Sequence, residues 1–156
     1  MAASHPPGRR PDMKSTLLEL ADRCEREEAS RRLDAEIGVA IRDRPVGKMN
    51  DWIDKNFPVW RPHHTEGRIE VVHDDGKGGV HWEVLSYTTS LDAAVTLVPE
   101  DWTAWELRSS RAKTRFHAEL SRLDNNTELQ EYADGRAKTP ALALCAAALR
   151  ALASKP

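Results

Sequence analysis

One stretch near the end of the sequence, Thr139–Ala153 (TPALALCAAALRALA), restricts the fold more than any other. Thr139 can cap a helix, and Pro140 fits its first position, where a missing backbone donor costs nothing. Leu142, Cys145, Leu149 and Leu152 then form one apolar stripe, and Leu144, Ala148 and Ala151 form a second of mostly small residues. A helix apolar on two sides has to be buried from two sides, against a sheet and against another helix or a subunit. With Arg150 inside it, the stretch is too short to cross a membrane.

The rest of the chain has to supply that surround. At 156 residues it has the length of one ordinary domain and needs no metal or disulfide staple. A helix over Ser15–Glu28 is expected, with Thr16 and Glu19 at capping-box spacing and Leu17, Leu20, Ala21 and Cys24 on one face. A second, Leu33–Asp43, carries Leu33, Ile37, Ala40 and Ile41 and stops before Pro45 and Gly47. A third follows the cap Ser90, with the stripe Leu91, Ala94, Val95 and Val98, and ends at Pro99.

Strand signals come in pairs. Ile69, Val71 and His73 alternate with Glu70 and Val72, DDGKGG supplies a turn, and VHWEVLSY returns with Val80, Trp82 and Val84 on one face. A second hairpin is read from Trp102–Ser109 and Thr114–Arg122, with Phe116, Ala118 and Leu120 on one side. Residues 48–67 show no clean period, and Pro58 and Pro62 exclude a central strand there, so they read as an insertion-like loop. The polar residues 123–137 read as loop. Residues 1–14 read as a disordered tail in which Met13 could serve as the start, and 15–153 as a single α+β domain. The sheet is expected to be mainly antiparallel, with about four strands and four helices in all.

Composition narrows function by exclusion. A formal net charge of −2 rules out a whole-protein electrostatic footprint for nucleic acid or anionic membrane, so such binding would need a local patch. The two cysteines, Cys24 and Cys145, fall on apolar helix faces and read as buried free thiols, which fits a reducing compartment.

The segments SYTTSLDAAVTLVP (86–99) and TPALALCAAALRA (139–151), with LLELADRCE and LDAEIG, resemble the phage ABA-sandwich domain family. These are small proteins encoded in bacteriophages and prophages. The resemblance implies an α-β-α layered sandwich and a cytoplasmic location in a bacterial host. It implies no activity and no catalytic residues. Residues 48–67 and 123–137 depart from the family's pattern.

Several groups of residues carry side chains of the types that chemistry uses. His63 and His64 lie near Glu66, and a hairpin could set His73 beside His81, yet neither spacing is a metal signature and zinc needs about three or four ligands. These histidines read as polar surface, with no metal or cofactor expected; an enzyme built on them ranks third among the functional readings. His63-x-Thr65 resembles half of a two-histidine phosphoesterase site, but His73, His81 and His117 are each followed two residues on by Asp or Glu. DDGKGG lacks the strand-to-helix context of a phosphate loop. No nucleophile stands beside a base at recognisable spacing.

The tip of the second hairpin is the best binding candidate. Arg108, Arg111, Lys113 and Arg115 fall within eight residues, with Trp105, Phe116 and His117 nearby, and cations plus rings suit nucleotides or single-stranded nucleic acid. Trp52 and Trp60 could anchor a protein partner. The expectation is therefore a non-enzymatic prophage accessory protein acting on a protein or anionic ligand, away from membranes, with self-association open through the two-sided helix.

Overall fold

The computed structural model describes residues 12–44, 50–123 and 130–155. In chain order the elements are α1 (Met13–Arg26), α2 (Arg31–Ile41), α3 (Asn50–Asn56), β1 (Val59–Pro62), β2 (Arg68–Val72) and β3 (Val80–Glu83). After these come α4 (Leu91–Val95), β4 (Ala104–Ser109), β5 (Phe116–Leu123), β6 (Gln130–Ala137) and α5 (Pro140–Ala153). The α+β class holds. The expected sheet of about four strands is corrected to two separate antiparallel sheets, β1-β2-β3 and β4-β5-β6, and the described residues hold five helices rather than four.

α5 forms as its sequence dictates. Thr139 Oγ1 accepts from the Leu142 amide at 3.2 Å, and every residue from Ala141 to Leu149 is buried. α1, α4, β5 and β6 surround it. Both apolar stripes are thus covered within the chain, which leaves little of this helix for a subunit.

Two segments depart from expectation. Within 48–67 the chain forms α3 and β1; among the described residues β1 pairs only with β2, so Pro62 ends an edge strand, where a missing donor is tolerated. Within 123–137, residues 130–137 form the full strand β6, while 124–129 lie outside the described residues. The inner positions of β6 are Ala133, Gly135 and Ala137, all buried and all small. They are small because α5 lies directly on them: a Cβ on Gly135 would sit 2.4 Å from the Ala143 carbonyl oxygen and 2.7 Å from the Ala147 nitrogen. An apolar stripe without bulk gives almost no hydropathy signal.

Helix ends shift as well. α1 starts at Met13, inside the segment expected to be a tail (residues 1–11 lie outside the described residues). The Thr16–Glu19 capping box does not form, because Thr16 already lies within the helix and donates back to the Asp12 carbonyl. α2 begins at Arg31 because Ser30 caps it, accepting from the Leu33 amide at 3.0 Å. α4 is a short helix that buries Ala93 and Ala94 and leaves Val95 exposed.

Helices cover one face of each sheet, and an arginine fastens each sheet to them. Arg31 of α2 donates to the carbonyls of Gly67 (3.3 Å) and Val84 (2.7 Å), which flank the β2–β3 hairpin, and to Ser86 Oγ (2.9 Å). It also holds the fully buried Asp34 at 2.9 Å, whose other oxygen accepts from Thr88 N and Oγ1, both at 2.8 Å. Gly67 has φ +79°, and a Cβ there would meet the Arg31 guanidinium at 2.5 Å. Arg150 of α5 plays the matching part for the other sheet. It donates to the Asp134 carbonyl (2.8 Å), to both Glu25 oxygens (2.8 Å each) and to Asp22 (2.8 Å). Glu25 in turn accepts from the Arg136 amide at 2.8 Å.

Candidate anion-binding cleft

The β4–β5–β6 register sets the site. Arg108 pairs with His117, and His117 pairs with Arg136, so one row of basic side chains crosses all three strands on the face away from α5. The next row on that face is Glu106, Glu119 and Asp134. Around the end of the sheet lies an open cleft of about 470 Å³, lined chiefly by Arg108, Ser109, Arg115, Phe116, His117 and Arg136. Neighbouring strand residues point to opposite faces, so this lining wraps the sheet end rather than lying on one side.

The tip turn aims Arg115. Ser110 donates its amide to the Arg115 carbonyl (2.9 Å), and its Oγ accepts from the amides of Thr114 and Arg115 (3.3 Å each). Lys113 takes a left-handed φ of 55° to close the turn.

The cations differ in how far they are neutralised. Arg108 lies 3.6 Å from Glu106 and 4.0 Å from Glu119, and His117 Nε2 lies 3.0 Å from Asp134. Arg115 and Arg136 form no salt bridge among the described residues. The partly exposed Glu25 carboxylate is taken up by Arg150, whose hydrogen bonds, with a smaller contribution from the Arg115 charge, hold it below the ordinary value of 4.5 against the opposing effect of burial. Two guanidiniums thus line an open cleft with no salt bridge of their own among the described residues.

Of the six candidate residues from the sequence, the structure brings Arg108 and Arg115 together in the cleft, while Arg111 and Lys113 stand on the exposed turn outside its lining. Arg136 was missed because it lay in a presumed loop; the alternation of small residues at 133, 135 and 137 was the available signal. Trp52 is 46% exposed and stacks edge-on to Phe57 at 5.0 Å. Trp60 is engaged within the fold, edge-on to Trp82 at 5.4 Å and beneath the Arg42 and Arg44 guanidiniums. Trp105, on β4, is 46% exposed.

No family model matches the chain, and neither the curated proteins nor the solved structures include a significant match. The site therefore rests on its own geometry.

The histidines assemble differently from expectation. His73 sits in the turn against Phe57 (4.7 Å), and His81 instead faces His63 at 4.4 Å, with His64 on the other side at 3.8 Å. Burial, helped by His64 and His81, pushes the His63 pKa below 6.5. His63, His64 and Glu70 hold potential ligand atoms within 4.8 Å of one another, with Glu70 in place of the Glu66 suggested by sequence proximity. Several nitrogens and oxygens around this group are engaged. His63 Nδ1 accepts from the Thr65 amide (3.1 Å), Arg61 holds Glu70 (3.0 Å), and Arg68 donates to His81 Nδ1 (3.0 Å). Metal ligation through an imidazole works best when its second nitrogen donates, and at His63 Nδ1 is an acceptor. In the cleft, no serine hydroxyl is hydrogen-bonded to His117 among the described residues, and the charged groups that line it are suited to recognising an anion.

Proposed function

We propose that the protein is a non-catalytic binder of phosphate-bearing ligands, a nucleotide or single-stranded nucleic acid, held at the tip of the β4–β5 hairpin. The observation that carries this reading is the pair of guanidiniums, Arg115 and Arg136, that have no salt bridge among the described residues and line one cleft with His117 and Phe116. A guanidinium presents a planar fork of donors matched to phosphate oxygens, and a ring beside it suits a base. The cleft volume is in the range that takes a nucleotide-sized ligand. Arg111 and Lys113, a few residues along the same turn, would extend the field for a longer strand.

The resemblance to phage ABA-sandwich proteins supports an accessory role in a prophage-bearing bacterium, in the cytoplasm. The α-β-α layering it implies belongs to the same proposal. Here the charged sheet faces are uncovered among the described residues, so a full three-layer sandwich would need a further helical cover. No described helix is long and apolar enough to cross a membrane.

The test is fluorescence anisotropy with a labelled single-stranded oligonucleotide and a labelled nucleoside triphosphate at two salt concentrations. Binding should weaken as salt rises and fall with Arg136→Ala. Salt-insensitive binding, or binding indifferent to both Arg115→Ala and Arg136→Ala, would remove the proposal.

A further inference from the structure

The four sheet edges are not equally protected. β1 is four residues long with Pro62 at its end, and β3 is also four residues long. The outer edge of β6 is occupied by side chains, with Glu25 on the Arg136 amide and Arg150 on the Asp134 carbonyl. β4 has six residues, no proline and no lysine, and α5 packs on β5 and β6 without extending over it. Ser110 donates to the Arg115 carbonyl, which fixes the phase of the β4–β5 ladder. Arg108, Glu106 and Ala104 therefore turn their backbone groups to β5, while those of Trp105, Leu107 and Ser109 point out. Among the described residues nothing caps them. A long uncapped edge is a template for another strand.

We propose that β4 pairs antiparallel with β4 of a second copy, about a two-fold axis through Leu107, joining two three-stranded sheets into one. The charges select this register. With Leu107 opposite Leu107, Glu106 of each copy faces Arg108 of the other. These are non-hydrogen-bonded positions, where Cα atoms approach to about 4.5 Å and side chains lie closest. The registers on either side place Glu106 opposite Glu106, or Arg108 opposite Arg108. Only the central one converts both charges into ion pairs, and it joins the outward groups of Trp105, Leu107 and Ser109 in about six backbone hydrogen bonds.

The same register deepens the reading of the cleft, and in that respect it rests on it. Trp105 of one copy falls opposite Ser109 of the other, and Ser109 lines the cleft beside Phe116. The half-exposed indole thus becomes a ring at the partner's anion site. Arg108 is engaged across the seam, and Arg115 and Arg136 remain for the ligand.

Sedimentation velocity on the full chain without ligand tests the seam separately from the anion reading. A concentration-dependent dimer is expected. Leu107→Pro removes an outward-pointing donor and no bond to β5, so it should give a folded monomer. Arg108→Glu sets carboxylates face to face and should raise the dimer dissociation constant at least ~10-fold. Adding Glu106→Arg to it restores the pairs with the signs exchanged and should restore the dimer. A wild-type chain monomeric at every concentration would overturn the proposal. So would a dimer untouched by Leu107→Pro, or a charge exchange that fails to rescue.

Discussion

The two sheets are built alike and arrange their charges in opposite ways. Each is a three-stranded antiparallel sheet with one face under helices and one arginine tying it down, Arg31 for β1-β2-β3 and Arg150 for β4-β5-β6. On the first sheet opposite charges share a row: Arg61 pairs with Glu70 at 3.0 Å, and His81, next in the row, accepts from Arg68. On the second, Arg108, His117 and Arg136 share one row and Glu106, Glu119 and Asp134 the next. Like charges directly opposite one another oppose sheet formation, so segregated rows are a departure from what stability favours. A face neutral row by row projects little field. A face with separated rows keeps a cationic end, and the cleft lies there.

The comparison breaks most severely at the tie arginines. Asp34→Ala removes the fully buried carboxylate that Arg31 and Thr88 share and should cost about 3 kcal/mol in urea unfolding, the scale for leaving buried donors without their charged acceptor. Gly135→Ala drives a methyl group into the α5 backbone and should destabilise by about 1–3 kcal/mol by the same measurement.

Ligand binding should separate the sheets next. Arg136→Ala is expected to weaken oligonucleotide binding about 10-fold, the size of one charge-assisted bond. Arg61→Ala, on the neutral row, should leave it within error. Equal losses from the two would show that the cationic row has no special part.

The smallest effect is a difference in acid response. Glu25 has a pKa lowered from 4.5 by Arg150, so its contribution is complete above that value and is lost as pH falls through the lower folded one. His63 has a pKa lowered from 6.5 by burial, so its contribution is present above 6.5 and fades as pH falls from there through its folded value. Stability measured from pH 7 to 3 should show the His63 loss first, and His63→Gln should flatten that part alone. Arg150→Ala should flatten the more acidic part.

The sequence discloses those parts whose reasons are local. α5 is legible because its apolar residues run all round it, and Ser90 and Thr139 cap as their positions require. β6 is not, since its inner residues are sized by a helix that follows it, and smallness resembles loop composition. Asp34 looks like any surface acid until Thr88, 54 residues away, closes on it. The site divides the same way. Arg108 and Arg115 are neighbours in the chain and visible together, whereas Arg136 joins them only through the β5–β6 register. Glu70 meets His63 only through the pairing of β1 with β2, which placed it ahead of the nearer Glu66.

The central position of α5 also sets an order of events during synthesis. This helix leaves the ribosome after every element it packs against, so Leu17, Leu20 and Cys24 of α1 and the inner strip of β6 wait without their cover. Contacts of that core reach across more than a hundred residues of chain, as between Arg150 and Glu25 (125 residues), and cannot form before α5 has emerged. A nascent chain stalled before Pro140 would display an apolar α1 face and an open sheet, and it would be a natural client for a chaperone that grips apolar segments.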